Sequence, residues 1–128
     1  MEPISILIAD DDPCFRGCLR HAMEREPKFR VGGEAENGLQ ALVLADKVKP
    51  DLVLLDAEMP RMDGFEAARC LRQKLPEVSI VVMGLYEQDK AKALEAGADA
   101  YVVKGCRCTE LRSVLHGVLE ARLGTDGD

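Results

Sequence analysis

KPDLVLLDAEMPRMDG, from Lys49 to Gly64, is the stretch whose reading decides the fold. Leu52-Val53-Leu54-Leu55 is a short unbroken apolar run, the pattern of a parallel strand buried on both faces. Pro50 precedes it, and Pro60 and Gly64 follow, so turn formers punctuate both ends. Asp56 stands where the run stops, a charge at the carboxyl end of a buried strand. In open parallel sheets that edge is where ligands bind. Taken alone, Asp56 also suits the plain role of a strand-ending cap. Its partners elsewhere in the chain favour a ligand site.

Working outward, Ile4 to Ala9 (ISILIA) reads as a buried first strand that ends in Asp10, Asp11 and Asp12. Pro13 fits the first position of a helix, where its missing N–H has no partner to lose, and makes Asp12 the expected N-cap. Phe15, Leu19, Ala22 and Met23 recur at helical spacing on that first helix, which Glu26-Pro27 ends. Phe29 to Ala35 reads as a weaker second strand, with Gly32-Gly33 marking an edge or a bulge. After the Asn37-Gly38 turn, Leu39 to Val48 forms a second helix with Leu39, Leu42 and Ala45 turned inward. A third helix runs roughly from Gly64 to Leu75, with Phe65, Ala68, Leu71 and Leu75 as its apolar side. Val78 to Met83 is a fourth strand, and a short fourth helix from about Gln88 to Ala96 ends at Gly97, suited to a left-handed C-cap. Tyr101-Val102-Val103 is the fifth strand, with Lys104 at its end. A last helix starts near Thr109 and carries Leu111, Val114, Leu115, Val118 and Leu119. One domain is expected over residues 1–123, with 124–128 a disordered tail or the start of a linker.

Strands alternating with helices describe a doubly wound α/β sheet, and right-handed crossovers bring every strand's carboxyl end to one edge. Asp10, Asp11, Asp56, Gly84 and Lys104 all fall there. Carboxylates gathered in one cleft repel, each pair by about 4 kcal/mol at ~4 Å and an effective dielectric near 20. A hard divalent cation with oxygen ligands, Mg²⁺ above others, is the natural partner for such a set. Lys104 relieves the same repulsion and offers a cation to an incoming anion. The arrangement suits a phosphoryl group passing onto a carboxylate. Nucleotide binding has no support, because neither GxxxxGK[ST] nor GxGxxG occurs. His21 and His116 lie on helices and read as surface or boundary residues, not as catalytic bases. A phosphatase of the haloacid-dehalogenase type would call for Asp-x-Asp at the central strand, whereas the chain has Asp56-Ala57-Glu58.

The chain has 128 residues, 47% apolar and 31% charged, which fits a single globular domain. The net charge of −6 and the lack of a basic run argue against direct binding of nucleic acid by this domain. No signal-peptide pattern and no membrane-length apolar stretch occur, and the five cysteines then read as reduced thiols of a cytoplasmic protein. Cys14 and Cys18 lie four apart on the first helix, and Cys106-x-Cys108 follows Lys104. A thiol metal site or a redox disulfide is one reading of the two pairs; small boundary residues is the favoured one.

The segments IADDDP, ENGLQAL, PDLVLLDAEMPRMDG and AGADAYVVKG, in that order, resemble the response-regulator receiver domains of two-component signalling over nearly the whole chain. The resemblance implies a flavodoxin-like five-stranded parallel sheet of order 2-1-3-4-5. It implies that Asp56 accepts a phosphoryl group from a sensor histidine kinase or phosphotransfer protein, and that Lys104 pairs with the phosphoryl oxygens. Asp10 and Asp11, with Asp56 and the backbone carbonyl of Glu58, match the Mg²⁺ site, and Tyr101 matches the aromatic switch residue. By the same resemblance the helix 4–strand 5–helix 5 face changes partner preference and is a surface for homodimers. The domain is then a signalling module and not an enzyme in its own right. The wording is most similar to regulators with a helix-turn-helix DNA-binding output, which places this chain as a fragment or a free-standing receiver.

Gly84 departs from the family, which carries threonine or serine at the end of strand 4, and the segment from Gly84 to Gly97 is shorter than usual. Glycine cannot supply the hydroxyl that binds the phosphoryl group and lets the aromatic residue rotate. Two expectations of different class follow: a phosphorylation-driven switch, or a phosphate-independent interaction or dimerisation module. Glu87, Asp89, Lys90 and Lys92 near helix 4, with Glu110 and Arg112, suit pairing across a dimer, but the favoured reading is an ordinary solvated face.

Overall fold

The computed structural model describes residues 2–126, with side chains described through Arg122. Five parallel strands, β1 (Ile4–Ala9), β2 (Phe29–Ala35), β3 (Leu52–Asp56), β4 (Ser79–Gly84) and β5 (Ala100–Val103), form one sheet of order β2-β1-β3-β4-β5. The helices are α1 (Pro13–Glu24), α2 (Gly38–Val48), α3 (Gly64–Lys74), α4 (Lys90–Glu95) and α5 (Cys108–Asp126), with a single 3-10 turn over Glu87–Asp89 before α4. This is the flavodoxin-like order expected from the motifs.

Alternate residues of each strand face opposite layers, because side chains along a strand repeat with period two. Ile6, Ile8, Leu52, Leu54, Val81 and Met83 pack with Leu19 and Met23 of α1 and Leu111 and Leu115 of α5. Leu7, Val53, Leu55, Ile80 and Val82 pack with Ala41 and Ala45 of α2, Phe65, Ala68 and Leu71 of α3 and Ala93 of α4. All of β3 is buried, which is why its sequence is apolar without alternation. Each such leucine contributes about 1.5–3 kcal/mol through burial.

Local chemistry starts the first three helices. Asp12 Oδ1 accepts from Cys14 N at 3.0 Å, Asn37 Oδ1 from Gln40 N at 2.9 Å and Asp63 Oδ1 from Glu66 N at 2.9 Å. Each cap of this kind stabilises its helix by about 1 kcal/mol. The 3-10 turn and α4 have no side-chain cap. Gly97 follows α4 at φ 103°, the left-handed conformation expected of it. The glycines of β2 mark a bulge: the β1–β2 register passes from Val31 to Gly33 between Ile6 and Leu7.

Three expectations change. Leu39 is 45% exposed, and α2 instead turns Gly38, Ala41 and Ala45 inward, because small residues let the helix lie close to the sheet. The fourth helix is shorter than the Gln88 to Ala96 span, since its first turn is 3-10. The last helix begins at Cys108, next to the expected Thr109, and its helical backbone includes 124–126 of the span expected as a disordered tail or the start of a linker; residues 127 and 128 lie outside the described residues.

Candidate functional site

The parallel sheet delivers three carboxylates to one point. Asp10 directly follows β1 and is 1% exposed, Asp56 closes β3 at 6%, and Asp11 is exposed beside them. Oxygens of all three lie within 4.8 Å of one another. Lys104, the residue after β5, is held at the same edge by its N–H donating to Gly84 O at 2.7 Å. Its Nζ lies 3.1 Å from Asp10 Oδ2 and 3.1 Å from Asp56 Oδ2, bridging the two buried carboxylates.

Burial raises the Asp56 carboxyl to about 6, and the Asp10 charge pushes the same way; the Lys104 hydrogen bond and charge and the Glu58 N–H oppose them. Burial pulls Lys104 down, but its contacts with Asp10 and Asp56 outweigh that and leave it raised. The lysine is therefore a fixed cation. Backbone donors finish the local order: Asp12 N–H donates to Asp10 Oδ1 at 2.9 Å and Glu58 N–H to Asp56 Oδ1 at 3.2 Å. Three oxygen-donor carboxylates, one of them open to solvent, fit a hard divalent cation such as Mg²⁺, which takes few protein ligands and keeps waters.

The family model of the response regulator receiver domain matches residues 6–116. The chain belongs to the response regulator receiver family. It is 40% identical over 117 residues to the nitrate/nitrite response regulator protein NarL of Escherichia coli K12, covering 90% of this chain and 54% of that protein. It is 41% identical over 106 residues to protein-glutamate methylesterase/protein-glutamine glutaminase 4 of Myxococcus xanthus, covering 80% of this chain and 30% of that protein. The receiver thus spans about half or less of the curated relatives it matches. Among solved structures, a signal receiver domain of a NarL response regulator from Mycobacterium tuberculosis superposes with TM-score 0.89 at 28% identity, over 94% of this chain and 98% of that one. A LuxR-family two-component response regulator from Aurantimonas sp. SI85-9A1 gives TM-score 0.89 at 32% identity, over 94% and 88%.

In this receiver the cleft above the carboxylates has a volume of about 730 Å³ and is bordered by Asp11, Asp56, Glu58, Gly84 and Lys104. The expected site residues thus come together, with Glu58 exposed on the β3–α3 loop. Tyr101 stands behind Gly84 on β5. Its hydroxyl donates to Tyr86 O at 2.6 Å, and its ring occupies the space a side chain at position 84 would fill. A Cβ added to Gly84 would meet the Tyr101 hydroxyl and sit 3.0 Å from Cζ and 3.1 Å from Cε1.

Three contributors escaped the sequence reading. Phe15 packs against the core as expected, and its ring centroid also lies 4.6 Å from Lys104 Nζ, a third wall around that ammonium. Asp89 and Lys92, expected on a solvated face, are half-buried and exposed respectively, and both also line the acidic cleft. No local pattern in the sequence marks these contacts, which depend on how near α1 and α4 lie to the sheet edge. Cys14, Cys18 and Cys108 share a groove between α1 and α5 with all thiols free, and the only group of three or more close metal-ligand side chains among the described residues is Asp10, Asp11 and Asp56. His116 stacks on Phe29 at 5.0 Å and contacts Glu26 Oε2 at 3.2 Å, a packing role.

Proposed function

We propose that this domain is a phosphoacceptor receiver of two-component signalling, in which a sensor histidine kinase or phosphotransfer protein passes a phosphoryl group to Asp56. The observation that carries the reading is Lys104 Nζ set 3.1 Å from both Asp10 and Asp56, with Asp11 open to solvent beside them. The Asp56 carboxylate attacks phosphorus, the P–N bond to the donor histidine breaks, and its electron pair stays on the imidazole. Lys104 lies where it would pair with a phosphoryl oxygen on Asp56 Oδ2. Asp10, Asp11, Asp56 and the Glu58 carbonyl would hold Mg²⁺, which supplies charge neutralisation to the phosphoryl oxygens when bound. The helix 4–strand 5–helix 5 face is the surface expected to pass the result to a partner, a second copy, or an attached DNA-binding output domain. A cytoplasmic location accords with that role. Among the described residues, no helix is long and apolar enough to cross a membrane.

The test is incubation with phosphoramidate and Mg²⁺, followed by intact mass. One added phosphoryl group is expected on the wild type, and none on Asp56→Asn or when the metal is chelated. An unmodified wild type under conditions that load another receiver would sink the reading. One observation favours a second reading, a phosphate-independent interaction module: Tyr101 fills the space beside Gly84, and the glycine there offers no hydroxyl to a phosphoryl oxygen.

A further inference from the structure

The cleft that holds Asp56 and Lys104 has a second cation in its wall. Lys92 of α4 lines it, with Nζ 4.4 Å from the centroid of the Phe65 ring. Asp89, three residues earlier, lines the same cleft. The element bearing these opposite charges is lightly anchored. It is a 3-10 turn followed by six helical residues, has no side-chain cap at either start, and buries only Ala93. On the far side, Gly84 touches both the cleft and Tyr101, but it has no side chain to carry a displacement from one to the other. The Tyr101 hydroxyl is already engaged by Tyr86 O.

We propose that Lys92 is the side chain through which this receiver reads the charge on Asp56, moving α4 while Tyr101 stays seated on Gly84. The inference rests on Asp56 being the phosphoacceptor. A phosphoryl group brings about −1.5 to −2 charges and three acceptor oxygens into the cleft. The Lys92 ammonium, on a flexible four-carbon stem, then exchanges a ring face for charge-assisted hydrogen bonds, which are the stronger contact. Asp89 is repelled by the same charge. Attraction at Lys92 and repulsion at Asp89, one turn apart, tilt a short helix that buries only Ala93 along its own length. Lys92 acts here as a positioning residue.

The experiment is backbone NMR of the intact chain with beryllofluoride and Mg²⁺ as the phosphoryl mimic. It is run on wild type, Lys92→Gln, Lys92→Arg and Tyr101→Phe, with Asp56→Ala as the control. In wild type, mimic-induced shifts are expected at Asp11, Asp56 and Lys104 and through Lys90–Glu95, while the Tyr101 ring resonances stay in place. In Lys92→Gln the mimic binds about two- to fivefold more weakly, as for a partly exposed ion pair. At saturation the pocket still shifts there and α4 does not. Lys92→Arg restores the α4 shifts, and Tyr101→Phe keeps them. Persistence of the α4 shifts in Lys92→Gln, or movement of the Tyr101 ring in wild type, overturns the inference and leaves the phosphoacceptor reading standing. Absence of pocket shifts in wild type overturns both.

Discussion

Asp56 is a carboxylate held under strain by its surroundings, and the consequences are specific to pH. Its folded pKa of about 6 lies above the ordinary 3.8, so the folded state binds this proton more tightly than the unfolded chain. The stabilisation from that proton is fully present below about pH 3.8 and is lost as pH rises through about 6. At pH 7.5 without divalent metal, the ionised group leaves the fold weaker by about 2–3 kcal/mol than a neutral group of the same shape would. Asp56→Asn is therefore expected to be more stable than wild type by about that amount at pH 7.5, with the difference fading near pH 4. Urea denaturation at the two pH values measures it. An Asn variant less stable than wild type at pH 7.5 would mean that Lys104 over-compensates the pocket. The residue type and its place at a strand end were legible in the sequence. The raised pKa was not, because it depends on how deeply Asp56 is buried and how near Asp10 lies.

Elements bring these residues together with unequal firmness. β1, β3 and β4 are hydrogen-bonded on both sides, so Asp10 and Asp56 sit on a rigid frame, whereas α4 has no side-chain cap at its start and one buried residue. The β4–β5 pair holds the contact between Gly84 and Tyr101. Gly84→Thr would set a side chain in the space now held by Tyr101, so the ring must swing outward and give up its bond to Tyr86 O. Loss of that hydrogen bond and the repacking are expected to cost about 1–2 kcal/mol. Nuclear Overhauser contacts between the Tyr101 ring and residue 84 should disappear. If the ring keeps its place in the variant, the glycine is not what seats it. Strand and helix positions followed from hydrophobic period and turn residues. The inward face of α2 did not, because Leu39 and Ala41 both suit a helix and only the distance to the sheet decides that alanine goes in.

At the scale of the whole molecule, a metal held by the folded chain alone would be linked to its stability. A ligand that binds only the folded chain stabilises it by RT ln(1 + [L]/Kd), about 2.7 kcal/mol at a hundred times Kd. Mg²⁺ is therefore expected to raise the melting temperature progressively with concentration. Asp11→Asn should abolish most of that rise, while Asp46→Asn, on the exposed side of α2, keeps it. Equal responses in both variants would assign the stabilisation to general screening. The order of strands and helices, the acidic sheet edge and its lysine were determined by the sequence itself. Apolar runs, proline and glycine punctuation and capping side chains act over a few residues, and right-handed parallel crossovers then bring the strands' carboxyl ends to one edge, while the order 2-1-3-4-5 is what the resemblance to receiver domains implied. Only the tertiary structure decided that Phe15 walls Lys104, that Asp89 and Lys92 face the cleft and that Tyr101 rests on Gly84. Those contacts join residues far apart in the chain, and they depend on how near the packed elements lie, a distance that no local pattern encodes.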